Sequence, residues 1–201
     1  MFDDLRVLQD PQSLTGGVTG LLDRREILKY GLVGLLGAVA PLMPARNAWA
    51  AANYSSWRVS FRHAHTGESF SGVYRVGDRY LPEAFDRLNY VLRDFRRNEV
   101  FPMDPRVVDI VSIIQSKVRP NEPFEVLSGY RCPKTNSMLR HASSGVAKNS
   151  LHMYGQAMDI RMPGYNTGKL RKIALNLHAG GVGYYPRSNF VHVDTGQVRS
   201  W

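Results

Sequence analysis

Cysteine is almost missing from this chain of 201 residues, which contains a single one, Cys132. One thiol excludes an intrachain disulfide and a cysteine-rich metal knuckle, so any metal site must be built from histidine and carboxylate side chains. Long apolar runs are missing as well, because the run at residues 30–42 is too short to span a bilayer comfortably. No internal repeat and no sign of a second folded domain are present.

The overall composition is that of a globular protein, with 43% hydrophobic and 21% charged residues. The formal net charge is +9. Acidic and basic side chains cancel within residues 1–50, so the whole excess belongs to residues 51–201. Such a basic domain is typical of proteins that bind a polyanion, which includes nucleic acid, an anionic membrane surface and an anionic cell-wall polymer. A solvated basic surface without a dedicated partner is equally consistent with the charge alone.

The first 50 residues have the pattern of an export signal. The pair Arg24-Arg25 precedes the weakly apolar run, and Ala48-Trp49-Ala50 fits a cleavage site. We therefore predict a twin-arginine signal peptide at 1–50 and one mature domain at 51–201, located in the periplasm. Export removes nucleic acid as a partner, and cleavage would leave no stable membrane insertion. A short buried helix and an uncleaved membrane anchor are the alternatives for the apolar run.

Hydrophobic periodicity in the mature chain predicts an α+β fold. Residues 57–64 and 69–76 alternate between apolar and polar side chains and predict a β-hairpin. A helix opens at Pro82, and its apolar stripe runs to Phe95, which places Arg93 on a solvated flank. Asp104-Pro105 predicts the start of a second helix. Further strands are expected at 124–127, 156–162, 183–186 and 190–194, with a helix at 167–179. Residues 132–149 are expected to form a long polar loop with at most one helical turn.

Three side chains form a candidate metal centre. His152 precedes a strand that carries Asp159, and Gly155 allows the return that aims both at one point. His192 lies on a later strand that can pair with the first, and Asp194 shares its face. Two imidazoles and one carboxylate suffice for a catalytic zinc, whose fourth position stays open. The alternative is that Asp159 caps a loop and both histidines are surface residues.

Other side chains have weaker claims to function. His63 and His65 share one face at a strand end, a spacing that suits metal binding but is also common for polar residues beside a turn. Arg131 follows a tight strand exit, where it can hold a substrate carboxylate or stabilise an oxyanion. A structural salt bridge is the alternative for Arg131.

The segment Ser150-x-His152-x-x-Gly155-x-Ala157-x-Asp159 resembles the signature of the D-Ala-D-Ala metallopeptidases, the VanX and hedgehog-like group. Segments 65–68, 127–131, 145–148 and 179–196 are similar to the YcbK/MepK-like murein endopeptidases, and this resemblance covers essentially the whole mature chain. It implies a hedgehog-like α+β fold, with a small antiparallel sheet flanked by helices. It also implies zinc on His152, Asp159 and His192, and hydrolysis of peptidoglycan cross-links, with those between two diaminopimelate residues favoured.

One departure from that group concerns the general base. The group often places a Glu three residues before, or a His two residues before, the last zinc ligand, and this chain has Asn189 and Phe190 there. Asp194 is the replacement candidate, and it can equally orient His192. A D-Ala carboxypeptidase using the same site and a non-catalytic, zinc-stabilised wall-binding module are the alternative functions.

Overall fold

The structure is a computed structural model that describes residues 55–119, 121–143 and 145–201. The predicted signal segment at 1–50 lies outside the described residues. Within the described ranges, no helix combines the length and the apolar character that crossing a membrane requires.

One mixed sheet of eight strands organises the described residues, in the order β3-β2-β1-β4-β5-β7-β6-β8. The strands are β1 (Ser56–His63), β2 (Ser69–Val76), β3 (Arg79–Tyr80), β4 (Phe124–Ser128), β5 (Ala157–Arg161), β6 (Gly181–Tyr185), β7 (Phe190–Asp194) and β8 (Arg199–Ser200). The predicted α+β class is confirmed. The sheet is mixed because β4 lies parallel to β1, and β8 parallel to β6. A helical crossover between β1 and β4 gives the chain room for the parallel pairing.

Four α-helices occur in the described ranges: α1 (Pro82–Val91), α2 (Pro105–Val118), α3 (Pro133–Ala142) and α4 (Thr167–Asn176). A 3₁₀ helix covers Leu151–Tyr154. The predicted start of α2 is confirmed, since the Asp104 carboxylate accepts the Arg106 backbone N–H and Pro105 occupies the first turn. All valines and isoleucines of α2 except Ile113 belong to the same apolar core as the inward-facing residues of β1, β4 and β5.

The prediction for the end of the first helix was wrong. Helix α1 ends at Val91, although the apolar stripe continues to Phe95. The Asp94 carboxylate accepts backbone N–H groups from Arg96 and Cys132, so this segment follows a turn instead of a further helical turn. Arg93 is only 8% exposed and forms an ion pair with Glu68 at 2.6 Å, so it does not lie on a solvated face.

The predicted loop at 132–149 was also wrong, because it contains the ten-residue helix α3. Pro133 occupies the first turn, and the Cys132 sulfur accepts the Thr135 backbone N–H at 3.5 Å. The buried side chains of α3 are Thr135 and Asn136, which are both polar. An apolar stripe is therefore missing, and hydrophobic periodicity does not detect the helix.

Candidate metal centre

The strand register brings two of the predicted ligands together. Strands β5 and β7 are antiparallel neighbours, and Asp159 lies directly opposite His192. Directly opposed residues project from the same face of a sheet, so both side chains point to one place. His152 comes from the 3₁₀ helix before β5. Gly155 ends that helix at φ +65°, where a Cβ would lie 2.3 Å from the Pro102 carbonyl oxygen, so only glycine fits.

The three nearest donor atoms have the spacing of a metal coordination shell. Asp159 Oδ1 lies 2.9 Å from His192 Nδ1 and 3.2 Å from His152 Nε2. The two imidazole nitrogens are 3.2 Å apart. A tetrahedral zinc with bonds of about 2.0–2.1 Å has ligands roughly 3.3 Å apart, so the donor set fits this ion closely. All three side chains are buried, and they are the only such His/Cys/Asp/Glu group within the described residues.

Each imidazole has one nitrogen anchored away from the centre. His152 Nδ1 is 2.7 Å from the Gly129 carbonyl oxygen, to which it donates. His192 Nε2 is 2.9 Å from Asp194 Oδ2, to which it donates in the same way. Because the second nitrogen of each ring faces Asp159, the lone pairs converge on the centre, as metal-binding histidines require.

The carboxylate of Asp194 is held by several donors. Its Oδ1 accepts the backbone N–H groups of Gly181 and Gly196, at 3.0 and 2.9 Å. Both oxygens also accept from the Arg199 guanidinium, at 3.1 and 2.7 Å. Burial favours the neutral acid, but the bonds from His192 and Arg199 outweigh it and hold the pKa of Asp194 below its usual range. Asp194 contacts His192 at Nε2, which is remote from the nitrogen that faces the other ligands.

The charges at the centre are strongly coupled. Burial lowers the pKa of His152. Burial also opposes ionisation of Asp159, but the two histidines outweigh this effect and hold the pKa of Asp159 below its usual range. For His192, bonds to Asp159 and Asp194 outweigh the opposing effect of burial and raise the pKa to about 9. A proton and a metal ion compete for the same His192 lone pair, so metal binding releases protons.

Arg131 lies beside the three ligands. Its backbone N–H donates to the His152 carbonyl oxygen at 3.1 Å, and its Nη2 is 3.6 Å from Asp159 Oδ2. The side chain is only 11% exposed, and burial lowers the pKa of Arg131 against the attraction of Asp159. Its Nε is buried without a hydrogen-bond partner among the described residues. An incompletely bonded guanidinium at this place is suited to binding an anion.

A cleft of about 340 Å³ leads from the surface to these residues. Part of its lining comes from residues 145–149, all but Lys148 of which face the cleft, and we call this segment the loop wall. A second part of the lining, which we call the sheet wall, consists of residues from the last three strands and of Trp201, which follows them (Tyr185, Phe190, His192, Asp194, Arg199 and Trp201). The Trp201 ring lies 5.3 Å from that of His192, and its Nε1 donates to Tyr185 Oη at 2.9 Å. An aromatic sheet wall therefore lies beside the ligands.

Asn189 and Phe190 occupy the two positions at which the resembled metallopeptidases often carry a Glu or a His as general base. Neither residue has a carboxylate or an imidazole. Phe190 stacks on Tyr185 with ring centroids 4.4 Å apart. The Asn189 amide oxygen accepts a hydrogen bond from the Thr167 hydroxyl. The departure seen in the sequence therefore corresponds to packing and hydrogen-bonding roles at these two positions.

Sequence reasoning overlooked Arg199 and Trp201, which line the cleft, and Asn136, which bonds to Arg131 and to the loop wall. Asn136 bonds to residues up to twelve positions away, at spacings that no periodic pattern marks. Arg199 lies in a strand of only two residues, which is too short to show a periodic pattern. The other weak candidate, His63, directs its Nδ1 to the backbone N–H groups of His65 and Thr66. This nitrogen is therefore already occupied by the turn between β1 and β2.

Comparison with known proteins gives consistent matches over most of the chain. The model of a peptidase family described as peptidoglycan L,D-endopeptidase MepK matches residues 51–201. The peptidoglycan L,D-endopeptidases MepK of Escherichia coli strain K12 and Shigella flexneri are each 41% identical over 180 residues, covering 89% of this chain and 97% of theirs. A probable peptidoglycan L,D-endopeptidase MepK of Haemophilus influenzae is 44% identical over 144 residues, covering 71% of this chain and 77% of its own.

Proposed function

We propose, from the premise that this chain belongs to the peptidase family described as peptidoglycan L,D-endopeptidase MepK, that it is a zinc-dependent murein endopeptidase. Its substrate would be the peptide cross-links of peptidoglycan, cut between two diaminopimelate residues. Its place of action would be the periplasm, reached by the twin-arginine route through the segment at 1–50. The excess of basic side chains in residues 51–201 supports a wall polymer rich in carboxylates as the partner.

The observation that carries this proposal is the buried donor set at the base of an open cleft. His152, Asp159 and His192 supply three ligands at tetrahedral spacing and leave the side facing the cleft for substrate. Zinc bound there would lower the pKa of a coordinated water and polarise a scissile carbonyl. All three ligands are buried, and His192 Nδ1 would give up its proton when the metal binds.

Arg131 has the position of a substrate-binding group in this reaction. Its guanidinium lies next to Asp159 and lines the cleft, so a substrate carboxylate or a developing oxyanion beside the cut bond would lie within its reach. The buried Nε would gain a partner when such an anion binds. Arg131 would thus orient the peptide and stabilise negative charge on it.

Of the two roles that the sequence leaves open for Asp194, we assign the orienting one. Both carboxylate oxygens already accept hydrogen bonds, and the bond to His192 is made at Nε2. The carboxylate therefore holds the proton on Nε2 and leaves Nδ1 free for the metal. Arg199 extends this arrangement, because its guanidinium balances the charge of the buried carboxylate.

Digestion of purified muropeptides tests the proposal directly. The zinc-loaded protein is incubated with dimers cross-linked between two diaminopimelate residues, and the products are identified by mass spectrometry. We expect release of monomers that stops when a chelator removes the metal and returns when zinc is added back. Dimers cross-linked from D-Ala to diaminopimelate are the matched control for bond specificity and should stay largely intact.

Other results would overturn the proposal in distinct ways. Loss of a single D-Ala from monomers would identify a carboxypeptidase that uses the same centre. Retention on intact wall sacculi without any cleavage, under zinc-replete conditions, would identify a wall-binding module.

A further inference from the structure

The loop wall has no regular secondary structure, yet it lines part of the cleft. One buried side chain holds it in place. Asn136 Nδ2 donates to the carbonyl oxygens of Ala147 and Lys148, at 3.1 and 3.3 Å. Both bonds reach across eleven or twelve positions of sequence, so they fix the loop wall against helix α3.

The same amide also contacts the substrate-binding guanidinium. Asn136 Oδ1 accepts from Arg131 Nη1 at 3.4 Å. The other contacts of that guanidinium are the bond to Ser128 Oγ at 3.2 Å and the approach to Asp159 at 3.6 Å. All three distances are long for charge-assisted hydrogen bonds, so no single contact fixes Arg131. A change at Asn136 therefore alters the position of Arg131 and the position of the loop wall together.

Asn136 is itself rigidly placed. It is 2% exposed, and its backbone N–H donates to the Cys132 carbonyl oxygen at 2.9 Å in the first turn of α3. The start of α3 is tied to the body of the domain through Asp94, which accepts the Cys132 backbone N–H at 2.9 Å. A side chain here must donate twice and accept once, which an amide does and a carboxylate of the same shape does not.

We propose that Asn136 is a positioning residue that sets the separation between Arg131 and the loop wall, and thereby selects peptides whose carboxylate reaches Arg131 while their backbone follows residues 145–149. This inference rests on the proposed function, in which a peptidoglycan stem peptide occupies the cleft. None of the proposed metal ligands forms a hydrogen bond with Asn136, so we expect its effect on substrate binding and not on metal binding.

The test compares Asn136→Asp with Asn89→Asp in the zinc-loaded protein. Asn89 serves as the control because its side-chain oxygen accepts the Met103 backbone N–H, a role that a carboxylate keeps. In Asn136→Asp, the carboxylate draws Arg131 towards itself and repels the two carbonyl oxygens. We expect KM for the cross-linked dimer to rise about tenfold, the worth of one or two hydrogen bonds, with a much smaller change in kcat. Zinc affinity should stay within about twofold of wild type, since no ligand contact is lost.

A second measurement does not depend on any substrate. Hydrogen–deuterium exchange of residues 145–149 should quicken in Asn136→Asp and in Asn136→Ala, and should stay at the wild-type rate in Asn89→Asp. Unchanged exchange together with an unchanged KM in a folded, zinc-binding variant would overturn the positioning role. If the wild-type protein cleaves no cross-link, the proposed function fails, and unchanged exchange in the variants would separately refute the tie between Asn136 and the loop wall.

Discussion

The two walls of the cleft are built in different ways. The sheet wall is held by strand pairing, by the register that sets Asp159 opposite His192, and by the multiple bonds to Asp194. The loop wall is held chiefly by the two bonds from Asn136. At the proposed centre, metal binding would thus depend on a redundant framework, whereas substrate binding would depend on a few contacts. Substitutions should therefore separate metal affinity from substrate affinity according to the wall they alter.

The largest effect is expected from Asp159→Ala, which removes the carboxylate that contacts both histidines and supplies one of the three proposed metal ligands. The loss of several kcal/mol of metal interaction corresponds to a fall of roughly a thousandfold or more in zinc affinity and in turnover. Competition with a chromogenic chelator measures the affinity, and muropeptide digestion measures the turnover. Wild-type zinc affinity in this variant would contradict the assignment of the centre.

Arg131→Ala removes the proposed substrate-binding guanidinium and leaves the three proposed metal ligands unchanged. We expect kcat/KM to fall on the order of a hundredfold, because an oriented cation that stabilises developing charge is lost. Zinc affinity should change little, since Arg131 is not a ligand. Steady-state kinetics and chelator competition on the same preparation check both statements. A parallel loss of zinc would instead indicate the structural salt bridge to Asp159.

Asp194→Asn alters a residue of the sheet wall that is not a metal ligand but is hydrogen-bonded to the proposed ligand His192. Loss of an orienting carboxylate typically lowers metal affinity 10- to 100-fold, and turnover should recover when zinc is saturating. Isothermal titration with zinc and kinetics across a zinc series provide the measurement. If Asp194 is instead the general base, the variant keeps its zinc and loses turnover at every zinc concentration.

The folding stability of the domain is expected to depend on pH through His63, a buried residue that belongs to neither wall. This dependence limits the pH range in which variants of the two walls can be compared. His63 is 1% exposed, and burial is the main cause that lowers its pKa to about 4 from the usual 6.5. Between these values the unfolded chain binds a proton that the folded protein does not, so stability falls as pH falls through this window. The effect reaches about 3 kcal/mol at its largest.

The variant His63→Asn keeps an acceptor for the turn and removes the titrating group. Thermal unfolding between pH 4 and 6.5 should depend less on pH in this variant than in wild type. His178→Asn is the matched control, because His178 is exposed and its positive φ of 50° suits asparagine. Equal pH dependence in all three proteins would contradict the role of His63.

The sequence predicted the features that have a local physical cause. Alternation located the β1–β2 hairpin, and the cap at Asp104 located α2. The pairing of the strands that carry Asp159 and His192 was expected from their polar and apolar faces, and the register confirms it. Polar, ionisable residues on one face of a strand were therefore recognisable before their contacts were known.

The features that were missed depend on contacts distant in sequence. Helix α3 buries Asn136 instead of an apolar stripe, so its pattern is that of a loop. Arg93 looked like a solvated side chain, because nothing near it in sequence reveals the ion pair with Glu68, 25 positions away. The carboxylate of Asp194 looked free to act as a base, because the Gly181 and Arg199 contacts exist only when the sheet is assembled. Local patterns do not encode such partners.

The pairing of Asp159 with His192 has a consequence for the folding of the protein, before any substrate binds. His152 and His192 are 40 positions apart, and the unfolded chain offers no such convergent set of donors. Zinc bound at the proposed centre would therefore indicate that folding is complete, because the three donors converge only in a chain whose β5–β7 register is correct. At free metal 1,000 times above the dissociation constant, this selective binding stabilises the folded form by about 4 kcal/mol. A molecule shifted by one residue in that register would stay metal-free, so metal occupancy separates correctly assembled molecules from misassembled ones.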